Sequence, residues 1–147
     1  MSRCVVALAL AVATVSLSAC GASGGPTAYE KKAGDAAAEV VSAARTVLLA
    51  ARLGGDDRTF VPTATVTVED AEGDASAAVD LFAAAVPPDA ASDELRARVL
   101  PDMQRVVDVI ELVRIAARRG EVALLEQTAL PLQDLASHLD AFATSVE

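Results

Sequence analysis

Apolar residues recur along this chain at spacings of three and four, the period of a helix with one buried face, in four successive stretches of about 25 to 30 residues. In the first stretch Ala33, Ala36, Val40, Ala43, Val47 and Ala50 share a face, Arg52 supplies a cation to the last turn, and Gly54 marks the expected stop. In the second, Val61, Thr65, Val68, Ala71, Ala75, Ala78, Phe82 and Ala85 form an unbroken stripe. Its opening, residues 60–68, is β-branched and alternating, which is also a strand pattern. A single strand without a partner cannot bury its edges, so a helix is expected here too, with Pro62 in the first turn where its missing N–H costs nothing.

The third stretch carries Leu95, Val99, Met103, Val106, Ile110, Val113 and Ala117, widened by Val107, Val109, Leu112 and Ile115. That breadth predicts the most buried helix of the set. Ser92 is its expected N-cap, Asp93 and Glu94 suit its positive end, and Arg118-Arg119-Gly120 close it. The fourth runs through Leu125, Thr128, Leu132, Leu135, Leu139, Phe142 and Val146. Pro101 and Pro131 fall inside the third and fourth patterns, and each should kink or divide its helix because each removes a backbone hydrogen bond.

Punctuation at Gly54-Gly55-Asp56-Asp57, Pro87-Pro88-Asp89 and Gly120 leaves short loops between long amphipathic helices, which implies antiparallel neighbours. The expected fold is all-α: an up-down-up-down antiparallel four-helix bundle with kinks near Pro101 and Pro131. Alanine-rich faces should let the first two helices approach closely. Val47–Gly54 and Val113–Gly120 resemble each other. A duplicated hairpin would explain this, but two helices reaching the same C-terminal solution is the favoured reading, since helix ends have few good answers.

Ahead of the bundle, Arg3 precedes an apolar run from Val5 to Leu17, followed by small residues, which is the layout of a secretory signal. The run is shorter than the roughly 20 residues a spanning helix needs. Leu17-Ser18-Ala19-Cys20 resembles the lipobox of bacterial lipoproteins. That resemblance implies cleavage before Cys20 and lipidation of its thiol with palmitate-type chains. The domain organisation follows: 1–19 a signal peptide that is removed, 20–26 the lipidated cysteine and a flexible tether, 27–147 the bundle. A tether of about six residues spans at most roughly 20 Å, so partners must lie near the membrane.

Composition narrows the function classes. Loss of residues 1–19 removes Cys4 and Arg3, so Cys20 is the one remaining cysteine, no internal disulfide can form, and the net charge moves from −9 to −10. Such an acidic domain is poorly suited to nucleic acid or to an anionic membrane surface. The absence of Asn and Trp and the excess of Arg over Lys read as the product of a GC-rich genome.

Candidate chemistry is sparse. His138 is the sole histidine, Leu135 stands where a Glu-x-x-His pair needs its carboxylate, and an exposed ion pair with Asp134 is the expected outcome. Met103 and His138 lie on successive helices, as haem ligands do in some bundles, but Met103 belongs to the apolar stripe and no Cys-x-x-Cys-His sequence exists. Asp70-Ala71-Glu72-Gly73-Asp74 opens like a calcium loop, then fails: its glycine comes too early and Leu81 stands where the closing Glu belongs. No nucleophile elbow, phosphate loop or HExxH is present, so the expectation is no enzyme, no metal and no cofactor. One cluster stands out. Arg52, Arg58, Arg118 and Arg119 should gather at the end of the bundle away from Cys20, against Asp56, Asp57 and Glu121, either as a partner-binding tip or as complements to two helix C-termini.

The lipobox, Tyr29-Glu30-Lys31-Lys32-Ala33-Gly34-Asp35, the Pro87-Pro88 break and Arg118-Arg119-Gly120 together resemble a group of small helical lipoproteins of actinobacteria. The resemblance implies a location and a fold and carries over no catalytic residue. The functional expectation is a non-enzymatic interaction or accessory module of the cell envelope. It would be held by lipid on Cys20 at the extracytoplasmic face of the cell membrane, with an envelope protein as partner. The alternative is a carrier of a small apolar ligand or lipid within the bundle.

Overall fold

A computed structural model describes residues 25–55 and 61–146. The described residues form five helices: α1 (Pro26–Gly55), α2 (Val61–Ala83), α3 (Ala90–Arg118), α4 (Val122–Ala129) and α5 (Pro131–Ser145). The first three correspond to the first three apolar stretches and the fourth stretch is divided in two, giving an all-helical bundle. The expected signal segment, Cys20 and Arg58 lie outside the described residues. Pro26, expected in the tether, is the first residue of α1, and the N–H groups of Ala28 and Tyr29 donate to Gly25 O at 2.9 and 3.1 Å.

The most buried helix is α1, not α3. Both touch all four other helices, but α1 buries more of its residues. Its buried face accordingly extends beyond the expected stripe to Tyr29, Ala37, Val41, Ala44 and Ala51. On α3 the expected face is buried from Leu95 to Ala117, but Val107 and Val109 are only half-buried and Leu112 is exposed. A broad apolar face therefore overstated the burial of α3. Small residues on α1 did the opposite, because alanine contributes little to a hydrophobicity count yet permits contact on several sides.

The strand-like opening of the second stretch is helical from Val61, with Pro62 in the first turn. Burial decides it: Ala64, Val68, Ala71 and Ala75 enter the core at helical spacing. Thr67, which favours extended backbone in isolation, donates its hydroxyl to Thr63 O at 2.9 Å, one turn back.

Two capping expectations are corrected. The N-cap of α3 is Asp89, whose carboxylate accepts the Ser92 N–H at 2.8 Å, and Ser92 itself is buried. Gly54 does not end α1; the helix continues to Gly55, and Gly54 is buried where an added Cβ would meet Leu125 Cδ1 at 3.3 Å and Ala64 Cβ at 3.7 Å. Gly120 does end its helix. At φ +68 it occupies the left-handed region, its N–H donates to Ala117 O at 3.0 Å, and the Glu121 N–H donates to Ala116 O at 3.0 Å, the paired bonds of a Schellman motif. The similarity of 47–54 to 113–120 is thus one of burial, with Val47, Ala50 and Ala51 matching Val113, Ala116 and Ala117, and not of helix termination.

α3 runs on through Pro101, whereas α4 and α5 part at Leu130, just before Pro131. The lost proline donor is partly offset there: Leu130 N–H donates to Glu126 O at 3.1 Å and Gln133 N–H to Leu130 O at 3.0 Å. The buried line of α4 and α5 is Leu125, Ala129, Leu132, Ala136, Leu139 and Ala143, with Thr128, Leu135, Phe142 and Val146 half-buried beside it.

Candidate functional site

The basic end is assembled by three helix termini. Gly54 near the end of α1 packs against Ala64 near the start of α2 and Leu125 of α4. Five residues beyond Ala64, Glu69 accepts from Arg118 Nε at 2.6 Å. The end of α1, the start of α2 and the end of α3 therefore lie together, bringing Arg52, Arg118 and Arg119 to one end of the bundle. All three are exposed, as is Glu121. Arg58, Asp56 and Asp57 lie outside the described residues.

The acidic neighbours of this end come from a source the sequence reading did not identify. Glu69 pairs with Arg118, and one turn along, Glu72 pairs with Arg114, whose Nη2 also lies 3.6 Å from Glu111 Oε1. The Arg114–Glu72 pair is the more enclosed, with 19% and 22% of the side chains exposed; the Arg118–Glu69 pair is largely open to solvent. An exposed pair holds its partners loosely and is screened by salt, so Arg118 remains free to exchange Glu69 for another anion. The signal was the spacing: two glutamates three apart on α2 face two arginines four apart on α3. It became legible only once the register of those two helices was known.

His138 is 73% exposed, and its nearest carboxylate is Asp102 across on α3, at 3.7 Å, not Asp134. That is too long for a hydrogen bond. Arg105 competes for the same carboxylate at 3.3 Å. Met103 is fully buried in the core, so it and the exposed His138 do not face a common space. Among the described residues no group of three His, Cys, Asp or Glu side chains is placed to hold a metal ion.

The clefts lie between neighbouring helices at the surface. One of about 630 Å³ lies between α3 and α5 beside Arg98, Asp102, His138 and Phe142. A second, of about 580 Å³, separates the start of α1 from the end of α5 beside Thr27, Lys31, Gly34 and Val146. A third, of about 490 Å³, follows the α1–α2 seam, with Ala36, Ala77, Ala78 and Phe82 as an apolar floor and Lys32 and Glu39 on its rim.

Among the described residues two titratable groups are perturbed, both at the end opposite the arginines. Burial pushes the Tyr29 phenol above its ordinary value, Arg96 opposing and Asp93 adding to the effect; its hydroxyl is enclosed with no hydrogen-bond partner among the described residues. The Ser92 backbone N–H holds the Asp89 carboxyl below its ordinary value. No protein-family model, curated protein or solved structure matches this chain.

Proposed function

We propose that this chain is a lipid-anchored, non-enzymatic interaction module on the extracytoplasmic face of the cell membrane, held through Cys20, with its arginine-bearing end offered to an envelope protein. The observation that carries this reading is the position of Leu17-Ser18-Ala19-Cys20: it ends five residues before Gly25, after which the first helix begins. A cleavage and lipidation site so placed leaves a short tether and an intact folded domain. A lipid would also supply an attachment that no described helix supplies, since none is long and apolar enough to cross a membrane.

In this proposal the bundle is antiparallel and up-down-up-down, with bends at Pro101 and Pro131. The pairings support it: Gly54 with Ala64 and Gly34 with Val146 match an end of one helix to the opposite end of another, and Glu69 and Glu72 pair with Arg118 and Arg114 in reversed order. That order carries Arg52, Arg118 and Arg119 away from Cys20 and toward partners.

The test is in-cell crosslinking and affinity capture of the native lipoprotein beside a Cys20→Ser form and an Arg118→Glu/Arg119→Glu form. The expected result is an envelope protein captured by the first and lost in both variants, with acyl mass on Cys20. Equal capture by all three would overturn the role given to the arginine end.

A carrier of a small apolar ligand is the second reading, and the α1–α2 seam is the observation that favours it, because its apolar floor is bordered by charge. It predicts a lipid or other apolar molecule co-purifying with the chain and displaced by Ala77→Phe.

A further inference from the structure

The two ends of the bundle differ in charge. One exposes Arg52, Arg118, Arg119 and Glu121, with Leu49, Val66 and Leu124 nearby. At the other, Tyr29 on α1 meets Phe82 on α2 with ring centroids 5.6 Å apart, which brings the segment 25–28 to the α2–α3 connection. These two segments, Gly-Pro-Thr-Ala and Ala84-Ala85-Val86-Pro87-Pro88-Asp89-Ala90-Ala91, carry a single charge between them. That charge, Asp89, is occupied in capping α3. Around it Leu81 is 74% and Val86 85% exposed, and Ala84, Pro88, Ala90 and Ala91 are exposed as well. Leu81 and Val86 are the most exposed of the large apolar side chains among the described residues, and side chains so exposed on neighbouring turns call for a covering surface.

The chain itself says what lies there. Four residues separate Cys20 from Gly25, and the five Cα-to-Cα steps between them extend at most about 18 Å. We propose that this end of the bundle rests on the outer leaflet of the membrane that anchors it, with Leu81 and the Val86–Pro88 turn entering the boundary between headgroups and acyl chains. The inference rests on the lipidation of Cys20 proposed above. The contact is apolar rather than electrostatic: Asp80, Asp93 and Glu94 stand beside this end as well as Lys31 and Lys32, so no net positive patch faces the lipid. Two side chains suffice because the tether already holds the loop at high effective concentration above the bilayer. The consequence is orientation. With this end seated, α3, of 29 residues, stands its arginine-bearing end about 40 Å off the surface.

The experiment uses the full chain, exported, processed and reconstituted into phosphatidylcholine vesicles. Cys20 is acylated in that form, so a thiol-reactive fluorophore marks only an introduced cysteine, at Val86→Cys or, as the far-end control, at exposed Ala123→Cys. The expected result is loss of iodide quenching at position 86, quenching there by brominated acyl chains, and the reverse at position 123, all unchanged by added salt. An acylated protein whose position 86 stays open to iodide overturns the docking and leaves the anchoring intact. Shielding from both quenchers places protein rather than lipid on the loop and overturns it equally. A Cys20 peptide without acyl mass overturns the anchoring, and the docking with it.

Discussion

Gly34 of α1 faces Val146 at the end of α5 so closely that a Cβ at position 34 would lie 2.5 Å from Val146 Cγ2 and 3.7 Å from Ala143 O. The glycine lets two helices approach where any side chain would hold them apart. Ala at a helix-interior position is worth about 1 kcal/mol over Gly. Overpacking against a β-branched side chain costs about 1–3 kcal/mol. Gly34→Ala should therefore destabilise the bundle by about 1 kcal/mol, and in a Val146→Ala background the same change should stabilise it by about 1 kcal/mol. Urea unfolding of the four proteins in a double-mutant cycle reads the coupling; additivity would show that the two residues do not meet.

Gly120 and Gly54 occupy matching places in similar sequences but should respond differently. Gly120→Ala forces a side chain into the left-handed region and should cost about 1 kcal/mol, with Gly120→Asn costing less. Nothing lies within 4 Å of that added Cβ, so the loss is one of backbone conformation alone. At helical Gly54 the gain in propensity and the 3.3 Å approach to the flexible end of Leu125 oppose each other, so Gly54→Ala should be near neutral. Thermal melts of the two variants side by side decide it.

Tyr29 encloses a hydroxyl that has no partner among the described residues. Tyr29→Phe keeps the ring against Phe82 and removes the orphaned polar group, and should stabilise the fold by about 1 kcal/mol. The phenol's raised pKa gives a second readout. The neutral form is favoured in the folded state, so its contribution is fully present below the unfolded-state value near 10 and is lost as pH rises through the folded value. Stability of the parent should fall across that alkaline range more steeply than that of Tyr29→Phe.

Asp89 titrates in the opposite sense. Its carboxylate accepts the Ser92 N–H, which holds its pKa below the ordinary value, so its stabilisation is present above the unfolded-state pKa and lost as pH falls through the folded one. Asp89→Ala should lower the melting temperature at neutral pH, Asp89→Asn should restore most of it, and both should flatten the acid limb. An unaltered acid limb in Asp89→Ala would remove the carboxylate from that role.

The helical character of the chain was legible from periodicity, even where β-branched residues at 60–68 suggested a strand. The ends of elements were less so. Ser92 and Asp89 are both good cap residues, and only the path of the chain after Pro88 determines which carries the cap and which is buried. The candidate site was legible in half. The arginines were visible in the sequence, but Glu72 stood there only in a failed calcium-loop pattern and Glu69 carried no signal, because their roles depend on which turns of α2 and α3 lie abreast. His138 was likewise assigned the carboxylate one turn away, whereas its nearest is on another helix.

By itself the sequence determined the local quantities: helical period, the places where glycine and proline interrupt it, the charge, and the Leu17-Ser18-Ala19-Cys20 box. Each depends on residues within a turn or two of one another. Only the tertiary structure decided that small-residue α1 lies against every other helix, that Gly54 packs while Gly120 turns, that Gly34 admits Val146, and that the arginines and the exposed Leu81 and Val86 lie at opposite ends of the bundle. These depend on register between helices, which is set by how alanines, valines and glycines fit across a seam. A pattern along one helix carries no information about which neighbour fills it.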